Sequence, residues 1–546
     1  MKLLRTARGW PVPACFPLAA LAVVALTGAL HAGPAPAPPL PEPTVPLFPR
    51  GAAQALPDAS DTFFASAHIP RIKIEIVQKE WDELNRDPRK YAKATIREDD
   101  KIIYEAVGVH LKGAAGSYRG LNDRPALTLN FDKFLDKQAF HGMDKVHLNN
   151  SVQDGTYMHE AIARGIFLDA GVPTGRASHA LVTLNGRDLG LYVLVEGFDR
   201  HFLRRHYANP NGNLYDGGFC QDLDAQKKAL SDKTPTTQED LKAVWQAVNW
   251  PDPIVRLERL QKVVDVDRFL TFTAMELMTC HWDGYNMNRN NYRLYVESRT
   301  GQLHFMASGV DQVFGDPNFN LFGGVGGTLG RVLLEYPQNR DRYRQLVGAG
   351  YTNAFRMSVL DARVDFLAAK LRPIGDFNGH AAGLKQRLRQ RAGVVATQLG
   401  IPPPTALAFA GDGTAKLGAA WESTVDQGTA VLAKVGTEGL QFLHIKAATP
   451  GAASWRRTVH LPPGNYEFEG MLKTANVAAG GEPFAAAGLR ISGGTRAQRL
   501  DGTADWRKFS FPFTVAALQD VTLVAELRAN SGEVWFDLGS LMLRRK

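Results

Sequence analysis

The hydrophobic period of this chain changes twice, and those two changes constrain its fold more than any single residue does. From Ile72 to Val195 apolar residues recur at every second position: in Ile72-Lys73-Ile74-Glu75-Ile76, in Val107 to Lys112, in Ala126 to Phe131, in Lys145 to Asn149, and in Ala180 to Leu184 and Leu189 to Val195. A period of two sends alternate side chains to opposite faces of a strand. Asn185-Gly186, between the last two runs, tolerates the positive φ of a tight hairpin turn. Two helical segments interrupt the alternation. Lys79–Arg86 is one; Thr156–Ala170 is the other, with Met158, Ile162, Ile166 and Ala170 four apart and Gly171-Val172-Pro173 as its stop. Beyond Glu196 the spacing becomes helical in residues 199–205, 237–248, 266–279, 341–346, 354–371 and 380–399. After Pro402-Pro403-Pro404, which cannot continue a helix, alternation returns in seven short runs out to Leu543. The pattern predicts a multidomain α+β chain: a strand-rich and a helix-rich half forming two lobes joined near Glu196, then an all-β sandwich.

Limits follow from composition. Residues 61–400 form the first expected domain and 405–546 the second. Lys2, Arg5 and Arg8 precede the apolar run Ala14–Leu30, and Ala32 is a small residue where a signal peptidase would cut, so residues 1–32 read as a signal peptide. Export to the periplasm, the cell surface or the medium is the expected location. The alternative, an uncleaved anchor, needs a longer run. Residues 33–60 are a proline-rich tether. Removing the three leader cations takes the net charge from +8 to +5, too weak a bias over such a length to indicate nucleic acid. Cys220 and Cys280 remain in the exported chain, as one disulfide or as two buried thiols.

The polar residues that carry chemistry cluster between rigid elements. His281-Trp282-Asp283-Gly284-Tyr285-Asn286-Met287-Asn288-Arg289-Asn290-Asn291 lies between an apolar helix and a strand and is poor core material. Its spacing H-x-D-x-x-x-x-N is one that protein kinases use to accept a hydroxyl proton on the Asp and hold Mg²⁺ with the Asn. A second acidic turn, Asp311-Gln312-Val313-Phe314-Gly315, follows the strand-like run His304–Ala307. The plainer reading of both is turn chemistry, since Asn, and Asp before Gly, favour turns. Lys112 ends a strand before Gly113-Ala114-Ala115-Gly116-Ser117, which lets backbone N–H groups approach an anion or simply makes a tight turn. Glu160 sits where a kinase helix would pair that lysine, or is a solvated helical acid. Glu196 occupies the hinge position. Asp222-Leu223-Asp224 suits a divalent ion or an exposed surface. No G-x-x-x-x-G-K-[ST] loop occurs.

Phe140-His141-Gly142-Met143-Asp144-Lys145-Val146-His147-Leu148-Asn149-Asn150, the block from Gly171 to Glu196, Asn290-Asn291-Tyr292 and Asp311 together resemble the spore-coat CotH kinase-like family over residues 68–400. The resemblance implies an atypical kinase fold that binds ATP with Mg²⁺ or Mn²⁺ and phosphorylates protein Ser or Thr hydroxyls. Carried onto this chain, Asp283 matches the family's catalytic-loop acid and Asp311 its metal-binding Asp; Asp283 and Asn288 are the expected catalytic residues, and Asp311, Asn288 and Asp283 the expected metal ligands. Lys112, Arg124, Glu160 and Glu196 are the expected nucleotide-side residues. Two departures stand out: Ser308-Gly309-Val310-Asp311 lacks one acid of the family's W-D-x-D, and Arg124 replaces a lysine. The C-terminal part resembles jelly-roll carbohydrate-binding modules through Pro462 to Tyr466, Gly502 to Trp506 and Val534 to Asp537. Trp506 and Trp535 are expected in its core, with exposed sugar-stacking faces as the alternative.

Three functions follow as expectations: an exported CotH-type protein kinase with a secreted or surface protein as acceptor; a non-catalytic coat protein binding cell-wall or extracellular polysaccharide; and a glycosidase using Asp283 and Asp311, which Asn-rich surroundings disfavour. No nucleic acid and, once the signal is cleaved, no membrane partner is expected.

Overall fold

The computed structural model describes residues 58–231, 234–402, 405–437, 439–480, 486–495, 498–516 and 518–546. The expected signal 1–32, most of the tether 33–60, and Pro403-Pro404 lie outside them. The chain divides into two compact units, Met1–Leu388 and Arg389–Lys546, and the division falls within a helix, Asn378–Leu399, upstream of the prolines.

The first unit begins with α1 (Ala59–Ala65), then β1 (Arg71–Glu75), α2 (Gln78–Arg86), β2 (Ala92–Glu98), β3 (Ile102–Lys112), β4 (Ala126–Asn130), β5 (Lys145–Asn149), α3 (His159–Asp169), β6 (Ala177–Leu184) and β7 (Arg187–Glu196). The seven strands close into a barrel in the order β1-β2-β3-β4-β5-β7-β6, antiparallel except where β1 meets β6. Alternation put Ile74, Ile96, Val109, Leu127, Leu148 and Leu194 inside, all buried. β2 was not expected, because its inward positions are filled partly by Ala92 and Ala94, weak strand formers. α3 starts three residues later than expected. The Asp154 carboxylate accepts the Thr156 and His159 N–H groups (2.9 and 3.0 Å) and the Thr156 hydroxyl (2.6 Å), holding a turn where the helix was anticipated.

The rest of this unit is α4 (Arg200–His206), β8 (Asn213–Asp216), β9 (Lys228–Ala229), α5 (Glu239–Val248), α6 (Pro253–Val263), α7 (Val266–Met278), α8 (Tyr285–Asn288), β10 (Tyr292–Val296), β11 (Leu303–Ala307), α9 (Thr328–Leu333), α10 (Pro337–Asn353), α11 (Met357–Leu371) and α12 (Asn378–Leu399). β11, β10, β8 and β9 form a small antiparallel sheet. Every residue of α7 from Phe269 to Met278 is buried, as suits a helix apolar all round. It delivers the polar loop directly into the β10–β11 hairpin. Cys220 and Cys280 are thiols, not a disulfide.

The second unit holds β12 (Thr414–Lys416), β13 (Glu422–Gln427), β14 (Ala430–Thr437), β15 (Leu440–Ala447), β16 (Gly451–Leu461), β17 (Gly464–Ala478), β18 (Ala486–Ile491), β19 (Gly502–Val515), β20 (Gln519–Ala529), β21 (Ser531–Asp537) and β22 (Met542–Arg545). One sheet runs β12-β22-β17-β21-β15-β14 with β19 on β17; the other runs β13-β16-β20-β18. Leu443, Leu472 and Phe536 from the first and Leu523 and Leu527 from the second share one core. The single strand expected over Val534–Leu543 is two, broken where the Asp537 side chain accepts the Gly539 N–H (3.0 Å). Trp506 and Trp535 are not core residues. Both are half-buried, because the inner face beside Trp535 is taken by Val534 and Phe536, which leaves it the opposite face of the pleat.

Candidate active site

The loop after α7 is built on a buried acid. Glu276 is fully buried, and its carboxylate accepts the backbone N–H groups of Tyr285 (2.8 Å) and Asn286 (2.9 Å) and the Asn286 side-chain amide (2.7 Å). Those backbone donors open α8 and have no partner within it, so Glu276 caps this short helix from a distance. Gly284 gives it room: a Cβ there would stand 2.4 Å from Glu276 Oε1. Burial raises the Glu276 pKa to about 7 despite the donors that lower it. His281 is fully buried too, and burial pushes its pKa down to about 4. A neutral ring donates from Nε2 to the Gly309 carbonyl (3.2 Å), and its Nδ1 lies 3.7 Å from Glu276.

Asp283 stands in a cradle of amides. Asn288 donates to its Oδ1 (2.9 Å), while Asn290 and Asn291 donate to its Oδ2 (3.1 and 2.8 Å); Asn291 also reaches the Asp283 carbonyl (3.0 Å). The H-x-D-x-x-x-x-N spacing therefore brings Asp283 and Asn288 into direct contact, with the Asn288 carbonyl oxygen left as a ligand atom.

A second cluster forms where the barrel meets α3. Lys112, at the end of β3, donates to Asn149 of β5, and the Asn149 amide donates to Glu160 of α3. Glu160 is held from its far side by Arg164 (2.7 and 2.6 Å). Burial lowers the Lys112 pKa to about 8, against the raising influence of Glu160 and Asp311. Burial, then the charge of Glu160, raises that of Asp311 to about 6. Lys112, Glu160 and Asp311 thus share one electrostatic neighbourhood. His159 fixes it: Nδ1–H donates to the Asp311 carbonyl (2.9 Å), and Arg387 donates to Nε2 (3.0 Å). The acidic turn is tied to α7 as well, through the Phe314 N–H on the Thr279 carbonyl (2.8 Å). The described hydrogen bonds do not join Asp311 to Asp283 or Asn288; the loops connect through His281 on Gly309 and through the Ser308 N–H on the Asn291 carbonyl (3.0 Å).

Among the described residues no three His, Cys, Asp or Glu side chains form a metal cage. The residues present still fit a hard cation of the Mg²⁺ type, which takes one or two protein carboxylates and completes its shell with water and phosphate. Asp311, whose ionisation is opposed by burial and by Glu160, is a carboxylate that a cation would stabilise. The missing acid at Gly309 has a steric counterpart: φ is +57°, and a Cβ would meet Asn291 Oδ1 at 2.3 Å.

The other expected residues are held by different partners. Arg124 donates to the Tyr157 hydroxyl (3.1 Å) and the Leu191 carbonyl, with its guanidinium 5.0 Å from the Tyr192 ring. Both Glu196 oxygens are committed to Arg205 (2.5 Å) and Arg176 (3.1 Å); burial alone would raise its pKa, and the two guanidiniums reverse that. Asp222 accepts from the Tyr285 hydroxyl and the Thr328 N–H, each at 2.9 Å, bracing α8 and α9. The glycine loop lines a shallow, open hollow with Pro88, Arg89 and Tyr118. Gly113 and Gly116 have φ of +95° and +83°, which side chains disfavour. Sequence reasoning missed Glu276, Asn149, His159 and Arg164. Glu276 alone carried a legible signal, as the single acid in an otherwise apolar stretch of helix.

Residues 109–378 match the family model described as CotH kinase protein. The chain is 23% identical to "Inner spore coat protein H" of Bacillus subtilis (strain 168) over 279 residues, covering 47% of this chain and 76% of that protein. Among solved structures it is similar to the Helicobacter pylori proinflammatory kinase CtkA, with a TM-score of 0.28 and 10% identity over 53% of this chain and 96% of that one. It is also similar to TmCBM61 in complex with beta-1,4-galactotriose, with a TM-score of 0.19 and 14% identity over 23% of this chain and 89% of that one.

Proposed function

We propose, from the premise that residues 109–378 form a CotH kinase-family domain, that this domain transfers the γ-phosphoryl group of ATP to Ser or Thr hydroxyls of secreted or cell-surface proteins. The observation that carries this reading is the pair of clusters just described: a cation, Lys112, set by Asn149 and Glu160, and a carboxylate, Asp283, aimed by three amides, with Asp311 fixed by the helix that carries Glu160. In this reading the barrel and the helical part are two lobes, residues 1–32 export the chain, 33–60 tether it, 61–400 carry the catalysis, and 405–546 form a separate jelly roll.

The residues divide the work. Lys112 offsets phosphate charge, and the Gly113–Ser117 backbone approaches the phosphates without side-chain hindrance. Asp283 orients the acceptor hydroxyl and takes its proton as the oxygen forms its bond to phosphorus and the bond to the ADP oxygen breaks. Asp311 and the Asn288 carbonyl oxygen would hold Mg²⁺ or Mn²⁺, whose charge neutralises the phosphates when bound. Incubation of the exported form with labelled ATP and either cation tests the reading. Transfer that disappears in Asp283→Ala at an unchanged melting temperature supports it. Absence of autophosphorylation, of transfer to a generic acceptor and of any nucleotide-dependent melting shift would sink it.

A second reading is favoured by the half-buried tryptophans on the outer face of the second unit: a non-catalytic coat protein that binds polysaccharide there. Its signature is polysaccharide binding unaffected by Asp283→Ala.

A further inference from the structure

The outer face of the seven-stranded sheet carries a row of rings that its core, on the opposite face, does not explain. Register sets Lys473 opposite Trp535 and Trp535 opposite His444, pointing away from the buried Leu472, Phe536 and Leu443. His444 and Trp535 stack with centroids 4.7 Å apart and planes within 13°; Phe442 and Trp506 stack at 5.2 Å and 26°. The Lys473 ammonium joins the two stacks, 5.2 Å from the Trp506 ring and 5.1 Å from the Trp535 ring. All five side chains are half-buried, so each keeps solvent-facing surface.

The basic side chains nearest the rings have carboxylate partners, with one exception. His444 and Lys446 pair with Glu533 (2.9 and 3.0 Å), Lys508 and Arg544 with Glu469 (2.9 and 3.4 Å), and Lys546 with Glu467 (2.5 Å). Among the described residues Lys473 has ring partners and no carboxylate. Indole faces attract a cation but do not neutralise it.

We propose that this face binds a polysaccharide whose pyranose rings carry a negative group, the sugar lying against the solvent-facing parts of Trp506 and Trp535 and its carboxylate or sulfate ester at Lys473. The proposal rests on the polysaccharide reading above and names the chemistry of its ligand. His444, Phe442 and Lys473 cover part of the two indoles; the parts left facing solvent offer apolar surface to pyranose C–H groups, and the charged partners at the edge suit its hydroxyls. A single-stranded nucleic acid would need a track of free cations along its phosphates; here the neighbouring cations are already paired.

The test measures binding of the full chain to polygalacturonate, to its methyl ester, to a sulfated galactan, to a neutral galactan and to oligo-dT, by calorimetry and affinity electrophoresis. The expected result is at least tenfold tighter binding to one of the acidic polymers than to the ester or the neutral galactan. Lys473→Met should abolish that preference, and Trp535→Ala should abolish binding, with the strand-rich circular dichroism unchanged. Whichever acidic polymer binds tighter identifies carboxylate or sulfate. Equal binding to the ester, an unchanged Lys473→Met variant, or preference for oligo-dT overturns the proposal. If binding is sensitive to Trp535→Ala but indifferent to charge, only the anionic inference falls. If no polysaccharide binds, both it and the underlying reading fall.

Discussion

Asn149 is the residue whose replacement reports most directly on the site, because its amide is the only described bridge between Lys112 and Glu160. Asn149→Leu keeps the volume and removes both hydrogen bonds. Glu160 retains Arg164 and loses one charge-assisted bond, worth about 1.5–3 kcal/mol. Lys112 has an escape: with a pKa of about 8 it can shed its proton at pH 7 for roughly 1.4 kcal/mol, which caps its share of the penalty. The expected loss of stability at pH 7 is therefore about 3 kcal/mol. At pH 9 Lys112 is already largely neutral in the parent protein, so the loss should shrink. Urea denaturation of both proteins at the two pH values measures this, since a shift in midpoint at constant slope is a change in stability. Nucleotide-dependent stabilisation should weaken in parallel. A variant within about 0.5 kcal/mol of the parent at pH 7, or a penalty equal at both pH values, would refute the relay.

Four further outcomes are expected. Asp283→Ala should lower phosphoryl transfer by at least ~100-fold, the usual contribution of a positioned base, as read by single-turnover assay. Glu276→Gln should weaken the α8 cap, because its NH₂ cannot accept the N–H groups that the second carboxylate oxygen takes, and Glu276→Ala should cost more, about 2–4 kcal/mol in chemical denaturation, by orphaning all of these buried N–H groups. The folded pKa of Glu276 (about 7) lies above the ordinary glutamate value of 4.5, so the parent should lose stability relative to Glu276→Gln as pH rises through that window, and not below it. A chain ending near Gly400 should keep its nucleotide-dependent melting shift, and residues 405–546 alone should melt cooperatively as a strand-rich piece.

Much of the fold was legible because burial and period coincide in it. Six of the barrel strands alternate visibly, and α7 announces itself by having no polar face. β2 escaped because small alanines mark its buried positions, and α3 began late because Asp154 captured two N–H groups that a helix would have used. At the site, Lys112, Glu160, Asp283 and Asn288 were legible through their spacing from glycines and strands. Asn149 was not, since a strand-end Asn reads as an ordinary turn residue until β3 and α3 are seen on either side of it. Arg124 and Glu196 illustrate the converse. Position along the chain suggested a nucleotide role, while the structure commits their charges to a carbonyl and tyrosine side chains in one case and to two guanidiniums in the other.

The first two residues of α3 tie the two parts of the site together. Glu160 faces the barrel and, through Asn149, sets Lys112; His159, its neighbour, grips the main chain at Asp311. Adjacent residues on a helix point about 100° apart, so one rigid turn serves both clusters at once. Displacing α3 would break the Lys112 relay and release Asp311 together. On the proposed reading, that coupling lets the site do without a cage of carboxylates: Glu160, paired with Arg164, contributes position more than charge, and Asp311 is the acid that a cation would stabilise. In the proposed transfer such a site would be completed by what its substrate brings, phosphate oxygens and the metal bound to them. On the same proposal, Asp283, held by three amides, would need only to be kept still until the acceptor hydroxyl arrives.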